Sequence, residues 1–116
     1  MSEVTIWHNP RCSTSRKVLD LLRAEGIEPA IVFYLQTPPD RATLADAIAR
    51  AGLSVRDAIR TREAAYGERG LDDPALDDAA LLDAMLAEPV LINRPFVMTP
   101  KGVRLCRPVE RVRDIL

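Results

Sequence analysis

The feature that most constrains the fold is a strand pattern, a helix pattern and a second strand pattern within the first 35 residues. Residues 4–7 form a short apolar run, and residues 13–25 carry apolar side chains on one helical face before Gly26 ends the pattern. Residues 30–35 are almost all apolar, which is typical of a parallel strand covered on both faces. Together the three segments predict a βαβ unit.

The middle of the chain, about residues 40–88, shows only helical patterns. Pro38 and Pro39 exclude a central strand before it, because proline has no backbone N–H to donate. Helices are predicted over residues 44–51, 55–62 and 77–87. Suitable capping residues stand near their starts: Asp40 or Thr43, Ser54, and Asp77.

The last third returns to strands. We predict strands over Phe96–Met98 and Val103–Cys106, a turn over Thr99–Gly102, and a final helix over Val109–Leu116. A βαβ unit, a helical segment and a ββα unit predict an α/β, thioredoxin-like fold with a four-stranded mixed sheet. Residues 1–116 are expected to form a single domain, with the helical insertion at about 40–88 between the two halves.

Apolar aromatic side chains are expected in the core of this fold, and a proline is expected close to the start of helix one. The aromatic residues in apolar runs are Trp7, Phe33, Tyr34 and Phe96. The thioredoxin-like class places a proline before strand three, so Pro95 is predicted to follow a cis peptide bond with Arg94. The fold is the reason, since few X–Pro bonds in folded proteins are cis.

Cys12 lies on the predicted turn between strand one and helix one. The N–H groups of a first helical turn lack partners within the helix and, with the macrodipole, attract anions. Such a position, and cations such as Arg11, Arg16 and protonated His8, lower a thiol pKa. The serines and threonine at positions 13–15 can cap the helix and donate to an oxyanion. The pattern predicts a nucleophilic cysteine in an anion pocket; a buried, inert cysteine is the alternative.

The second thiol and the overall charge limit the chemistry. Ser15 stands where a C-x-x-C motif would place a second cysteine, and Cys106, on a predicted strand, is expected to be buried and inert. The formal net charge is −1, which favours neither nucleic acid nor membrane as a partner. No signal peptide or long apolar span is visible, so a cytoplasmic protein is expected. One histidine and two cysteines make no metal site.

Four segments have a familiar sequence, and together they span essentially the whole chain. They are His8–Arg16 (His-Asn-Pro-Arg-Cys-Ser-Thr-Ser-Arg), Tyr34-Leu35 with Pro38-Pro39, Leu91–Pro95 (Leu-Ile-Asn-Arg-Pro), and Arg104–Pro108 (Arg-Leu-Cys-Arg-Pro). In these segments the chain resembles the glutaredoxin-linked arsenate reductases (the ArsC family) of the thioredoxin-like superfamily.

The resemblance implies an enzyme that reduces arsenate to arsenite in arsenate detoxification. Cys12 would attack arsenic, His8 would support its thiolate electrostatically, and Ser15 would help to hold it. Three arginines would bind arsenate and the later species: Arg60, Arg94 and Arg107. Glutathione would be the co-substrate, with no bound cofactor, and glutaredoxin the protein partner of a monomeric enzyme.

Two other readings of the same residues stay open. One is a thiol oxidoreductase or glutathione-binding protein of the same fold with another substrate, because Cys12 in an anion pocket would look much the same. The other is a Spx-like regulatory adaptor that binds RNA polymerase. Members of that kind usually carry C-x-x-C, so Ser15 counts against it.

Overall fold

The computed structural model describes residues 3–116, which form two compact units. The first unit contains the described residues up to Thr37 together with Arg94–Leu116, and the second is Pro38–Asn93. The elements of the first unit are β1 (Thr5–Trp7), α1 (Ser13–Ala24), β2 (Ala30–Val32), β3 (Phe96–Thr99), β4 (Gly102–Leu105) and a 3-10 helix (Val109–Ile115).

The four strands form one mixed sheet in the order β2-β1-β3-β4. β1 is parallel to β2 and antiparallel to β3, and β3 and β4 form an antiparallel hairpin. Trp7, the last residue of β1, pairs with Val32 at the end of β2 and with Phe96 at the start of β3. The segments after β1, after β2 and before β3 therefore lie at the same end of the sheet. This arrangement confirms the α/β prediction.

The core of the first unit lies between the sheet, α1 and the C-terminal 3-10 helix. Its buried side chains are Ile6, Val18, Leu19, Leu22, Val97, Cys106, Val112 and Ile115. Full burial of an aliphatic side chain of this size stabilises the fold by about 1.5–3 kcal/mol. This packing holds the start of α1 in a fixed position relative to the end of β1.

The prediction for residues 30–35 is wrong in two respects. β2 ends at Val32, and it is an edge strand of the sheet. Its three residues are exposed or half-buried, so it is not covered on both faces. Phe33 and Leu35 are 43% and 38% exposed, whereas Tyr34 between them is fully buried. Phe33 is therefore not a core residue. An edge strand has no neighbour on one side, and the chain turns immediately after it.

The second unit is helical, as predicted for the middle of the chain. Its elements are α2 (Arg41–Arg50), α3 (Val55–Ala58), α4 (Ala64–Glu68), α5 (Asp78–Ala87) and a 3-10 helix (Pro89–Leu91). Asp40, rather than Thr43, caps α2, because its Oδ1 accepts the Thr43 N–H at 2.7 Å. Ser54 caps α3 and Asp77 caps α5, as predicted.

The helix predicted over residues 55–62 is wrong beyond Ala58. Ile59 leaves the helix and forms an isolated antiparallel bridge with Ile92. The backbone N–H of Arg60 donates to the Leu91 carbonyl at 2.7 Å, which fixes the chain in an extended conformation. The short helix α4, which contains Gly67, was not predicted.

Three further details concern the C-terminal part and the polarity of the helices. The Arg94–Pro95 bond is cis, as predicted, and the Arg107–Pro108 bond is also cis, which the sequence did not predict. The predicted final helix is a 3-10 helix. No helix within residues 3–116 is both long and apolar enough to cross a membrane.

Candidate active site

Cys12 is the N-cap residue of α1, at the end of the sheet where β1 ends. Its backbone N–H donates to the Asn9 carbonyl at 3.0 Å, and its carbonyl accepts the Arg16 N–H at 3.0 Å. The side chain is partly exposed. The thiol therefore lies beside the free N–H groups of the first helical turn, as the sequence predicted.

Ser15 has a different role from the helix cap that the sequence suggested. Its side chain is fully buried in the first turn of α1. Its Oγ accepts the Asn9 N–H at 3.1 Å and forms a 2.7 Å hydrogen bond with His8 Nδ1. None of the side chains at positions 13–15 caps α1, so the capping prediction for these residues is wrong. Ser15 instead joins the helix to the end of β1.

His8 is buried and does not supply the positive charge that the sequence suggested. Burial lowers the pKa of His8 below its ordinary 6.5, and the nearby positive charges of Arg23 and Arg16 lower it further. The imidazole is therefore neutral near pH 7. The expectation that His8 adds positive potential is wrong, and its contribution comes through the hydrogen bond to Ser15.

Two arginines approach the thiol from the other side. Arg107 Nη1 lies 3.7 Å from Cys12 Sγ and also donates to the Arg94 carbonyl at 3.2 Å. Arg94 is buried, immediately before the cis Pro95, and its side chain also hydrogen-bonds to the thiol. The Pro95 carbonyl accepts the Cys106 N–H at 2.9 Å, which anchors this segment to the end of β4.

The electrostatics at Cys12 favour the thiolate. Burial by itself raises the pKa of Cys12, but the backbone N–H of Ser15 and the guanidinium groups of Arg94 and Arg107 outweigh it. The net effect lowers the pKa below its ordinary value. A partly exposed thiol surrounded by donors and cations is the environment of a reactive cysteine rather than of an inert one.

The other predicted cations are placed differently. Arg16 donates to the Pro10 carbonyl at 2.8 Å and braces the turn. Arg60 belongs to the second unit, where its Nε lies 3.1 Å from Glu63 Oε1. Arg56, on α3 in the same unit, donates to the carbonyls of loop residues 71 and 73. The predicted role of Arg60 at the site stays a prediction.

Cys106 is fully buried, as the sequence predicted. Burial raises the pKa of its thiol to about 12, so it is protonated at neutral pH. Cys12 and Cys106 are both free thiols. Within residues 3–116, no group of His, Cys, Asp and Glu side chains is arranged to hold a metal ion.

Asn9 is a site residue that the sequence interpretation missed. Its side-chain Oδ1 accepts the Arg11 N–H at 3.0 Å, its carbonyl accepts the Cys12 N–H, and its own N–H donates to Ser15. These three bonds shape the turn that carries the thiol. The signal was present, because Asn followed by Pro between a strand and a helix favours a side-chain-stabilised turn.

Comparisons with known proteins identify the family. Residues 7–115 match the ArsC family. The chain is 58% identical to an arsenate reductase of Rhizobium meliloti (strain 1021), over 97% of this chain and 81% of that one. It is 51% identical to an arsenate reductase of Escherichia coli, over 100% of this chain and 82% of that one.

The fold gives the same assignment. The solved structure of an arsenate reductase from Vibrio cholerae superposes with a TM-score of 0.94 at 43% identity and covers 97% of both chains. The family match includes the turn and the helix that carry Cys12 and the segments that carry Arg94 and Arg107. On its sequence and its fold, this chain belongs to the ArsC family.

Proposed function

We propose that the protein is an arsenate reductase and that Cys12 is its nucleophile. The observation that carries the proposal is the partly exposed Cys12 thiol, whose pKa is lowered by the Ser15 N–H and the guanidinium groups of Arg94 and Arg107. Donors that stabilise a thiolate also suit a tetrahedral oxyanion next to it. The relatives named as arsenate reductases support arsenate as that oxyanion.

The first step is a substitution at arsenic. The Cys12 thiolate forms a bond to arsenic, and one arsenate oxygen takes up protons and leaves as water. Arsenic stays in the +5 state in this thioester-like adduct. Arsenate is a dianion near neutral pH, so a thiolate that approaches it meets like charge. Arg94 and Arg107 offset this repulsion, and arginine keeps its proton throughout.

In this proposal the reducing electrons come from thiols of other molecules. Ser15 cannot form a disulfide, and the buried Cys106 thiol is protonated. The glutathione thiolate displaces a second oxygen of the Cys12–arsenic adduct as water and forms a sulfur–arsenic bond. A glutaredoxin thiolate then attacks the glutathione sulfur, and the bond between that sulfur and arsenic breaks with its electron pair left on arsenic. The two sulfurs form a mixed disulfide and lose two electrons in total, while arsenic gains two and becomes As(III). Water then cleaves the remaining Cys12–arsenic bond, which releases arsenite and returns the Cys12 thiol. Reduced thiols of this kind favour the cytoplasm, and we expect a monomer.

The remaining residues position the Cys12 thiol and neutralise the negative charge of arsenate. The neutral His8 ring holds Ser15, and Ser15 holds the turn through the Asn9 N–H, so the helix N-terminus points at the thiol. Pro95 places Arg94 beside Cys12. Arg60 is proposed as a third cation for arsenate or a later intermediate, on the resemblance alone.

A coupled assay tests the proposal. Arsenate, glutathione, glutaredoxin, glutathione reductase and NADPH are combined with the wild-type protein or with Cys12→Ser. We expect arsenate-dependent NADPH oxidation that is lost in the variant and lost without glutaredoxin. Cys106→Ala is the matched control and retains activity.

Other outcomes identify the alternatives. Full turnover by Cys12→Ser would refute the nucleophile assignment. Turnover without glutaredoxin would refute the proposed partner. No turnover by the wild type, with Cys12 still alkylated rapidly near neutral pH, would point to a thiol oxidoreductase with another substrate.

A further inference from the structure

We propose that the surface formed by Pro10, Arg11, Phe33, Leu35 and Gln36, called the Phe33 face below, docks the protein thiol that completes the reduction. The proposal rests on the function proposed above, which requires such a partner. It names where on this chain a glutaredoxin binds and which side chains it contacts.

The Phe33 face lies at the end of the sheet where β1 and β2 both end. The His8 N–H donates to the Val32 carbonyl at 2.9 Å, so the segments after the two strands run side by side. Between them is an open cavity of about 310 Å³, lined by His8–Arg11 and by Phe33, Leu35 and Gln36. The size is sufficient for one or two side chains of a partner.

The apolar part of this face is exposed, and its backbone turn is hydrogen-bonded. Phe33 and Leu35 are the exposed large hydrophobic residues within residues 3–116. Tyr34 between them is fully buried and anchors the turn. The Phe33 carbonyl accepts the N–H groups of Gln36 and Thr37 at 3.0 and 2.9 Å. A fixed turn loses little conformational entropy on binding, and aromatic residues with arginine are typical of the centre of an interface.

The position of the face favours a thiol-bearing protein as the occupant. The face is continuous with the reactive site, because the turn that lines its cavity ends at Cys12, whose N–H donates to Asn9. A partner that brings a thiol to a group bound at Cys12 must therefore contact the surface beside this turn. Weak redox encounters bury little surface, so a small patch is adequate.

The charge of the surroundings indicates what the rim of the partner carries. Arg11 is exposed at the cavity, and Arg16 and Lys17 are exposed on the first turns of α1. Within residues 3–116, the Arg11 guanidinium has no ion-pair partner. We infer a partner with apolar side chains at its centre and acidic residues at its rim, since complementary charge steers association.

An NMR titration tests the docking surface independently of catalysis. Isotope-labelled Cys12→Ser protein, which cannot form a covalent adduct at that position, is titrated with unlabelled glutaredoxin. We expect the backbone signals of residues 8–12 and 33–37 to shift first and furthest. Shifts confined to other parts of the chain, or none at all, would overturn the proposal whether or not the wild type reduces arsenate.

Kinetics with matched variants provide the second test. The double variant Phe33→Ala/Leu35→Ala is compared with Ile27→Ala, which removes apolar surface from a cavity at the opposite edge of the sheet. For the double variant we expect KM for glutaredoxin to rise about tenfold, with KM for arsenate and the alkylation rate of Cys12 unchanged. Ile27→Ala should leave all three unchanged.

The two proposals fail in distinguishable ways. A rise in KM for glutathione instead of glutaredoxin would show that the cavity is a small-thiol site and would overturn the protein-docking proposal. Unchanged kinetics in the double variant would do the same. Absence of arsenate turnover in the wild type would contradict the proposed function, while the NMR titration would still decide the docking surface.

Discussion

Replacement of Arg107 by alanine is the most direct test of how the site activates Cys12. The guanidinium Nη1 lies 3.7 Å from the thiol sulfur, and it is exposed to solvent on its other side. The substitution removes one positive charge and one donor from the thiolate. Arg94 and the Ser15 N–H remain, so the pKa of Cys12 should rise without returning to its ordinary value.

The size of the rise follows from the separation of the two charges. Two unit charges about 4 Å apart attract by about 1 kcal/mol in water and by about 4 kcal/mol at an effective dielectric constant of 20. The lower figure applies, since the Arg107 side chain is exposed and solvent screens the pair. It corresponds to a rise of about 0.7 pKa units, or about a fivefold loss of thiolate at pH values below the pKa.

The rate of alkylation by iodoacetamide, measured across the pH range, reports the pKa of Cys12. The control is Arg113→Ala, because Arg113 pairs with Glu25 at the far end of α1. A helix of 12 residues is about 18 Å long, which is well beyond the Debye length at physiological salt. An unchanged profile in Arg107→Ala, or an equal shift in Arg113→Ala, would refute the electrostatic account.

Three further predictions concern the buried residues around the site. Ser15→Ala leaves the Asn9 N–H without its acceptor and should reduce the free energy of unfolding by about 1–3 kcal/mol, measured by urea denaturation; no change would mean that the backbone finds another partner. The pKa of His8 is lower in the folded protein than in the unfolded chain. As pH falls, His8 is therefore protonated in the unfolded chain before it is protonated in the folded protein. Stability should therefore fall as pH drops below about 6.5, and His8→Gln should flatten this slope; an equally steep slope in the variant would assign the effect to other groups. Native protein treated with iodoacetamide at neutral pH should gain one adduct, on Cys12, by mass spectrometry, and an adduct on Cys106 would contradict its burial and its pKa of about 12.

Local patterns were sufficient to predict most of the fold. The apolar runs, Gly26 after α1 and the caps at Ser54 and Asp77 are local signals, and each element they predicted is present. Errors arose where a distant contact decided the conformation. α3 ends at Ala58 because the next residue pairs with Ile92, more than thirty positions away. No pattern within a window of ten residues contains that information.

The edge position of β2 shows the same limit. An apolar run of six residues is compatible with a central or an edge strand, and only the strand order β2-β1-β3-β4 decides between them. Because β2 is at the edge and ends early, Phe33 and Leu35 become exposed. The exposed surface proposed for the protein partner therefore could not be predicted without the strand order of the sheet.

The site divides in a similar way. By itself the sequence determined that Cys12 stands between a strand and a helix, that Ser15 excludes a local dithiol, and that a proline precedes β3, because these are facts of order along the chain. Only the tertiary structure decided that Arg107, distant in sequence, lies against the thiol and that His8 is buried and neutral. Charge and pKa depend on separation in space and on access to water, and a linear pattern specifies neither.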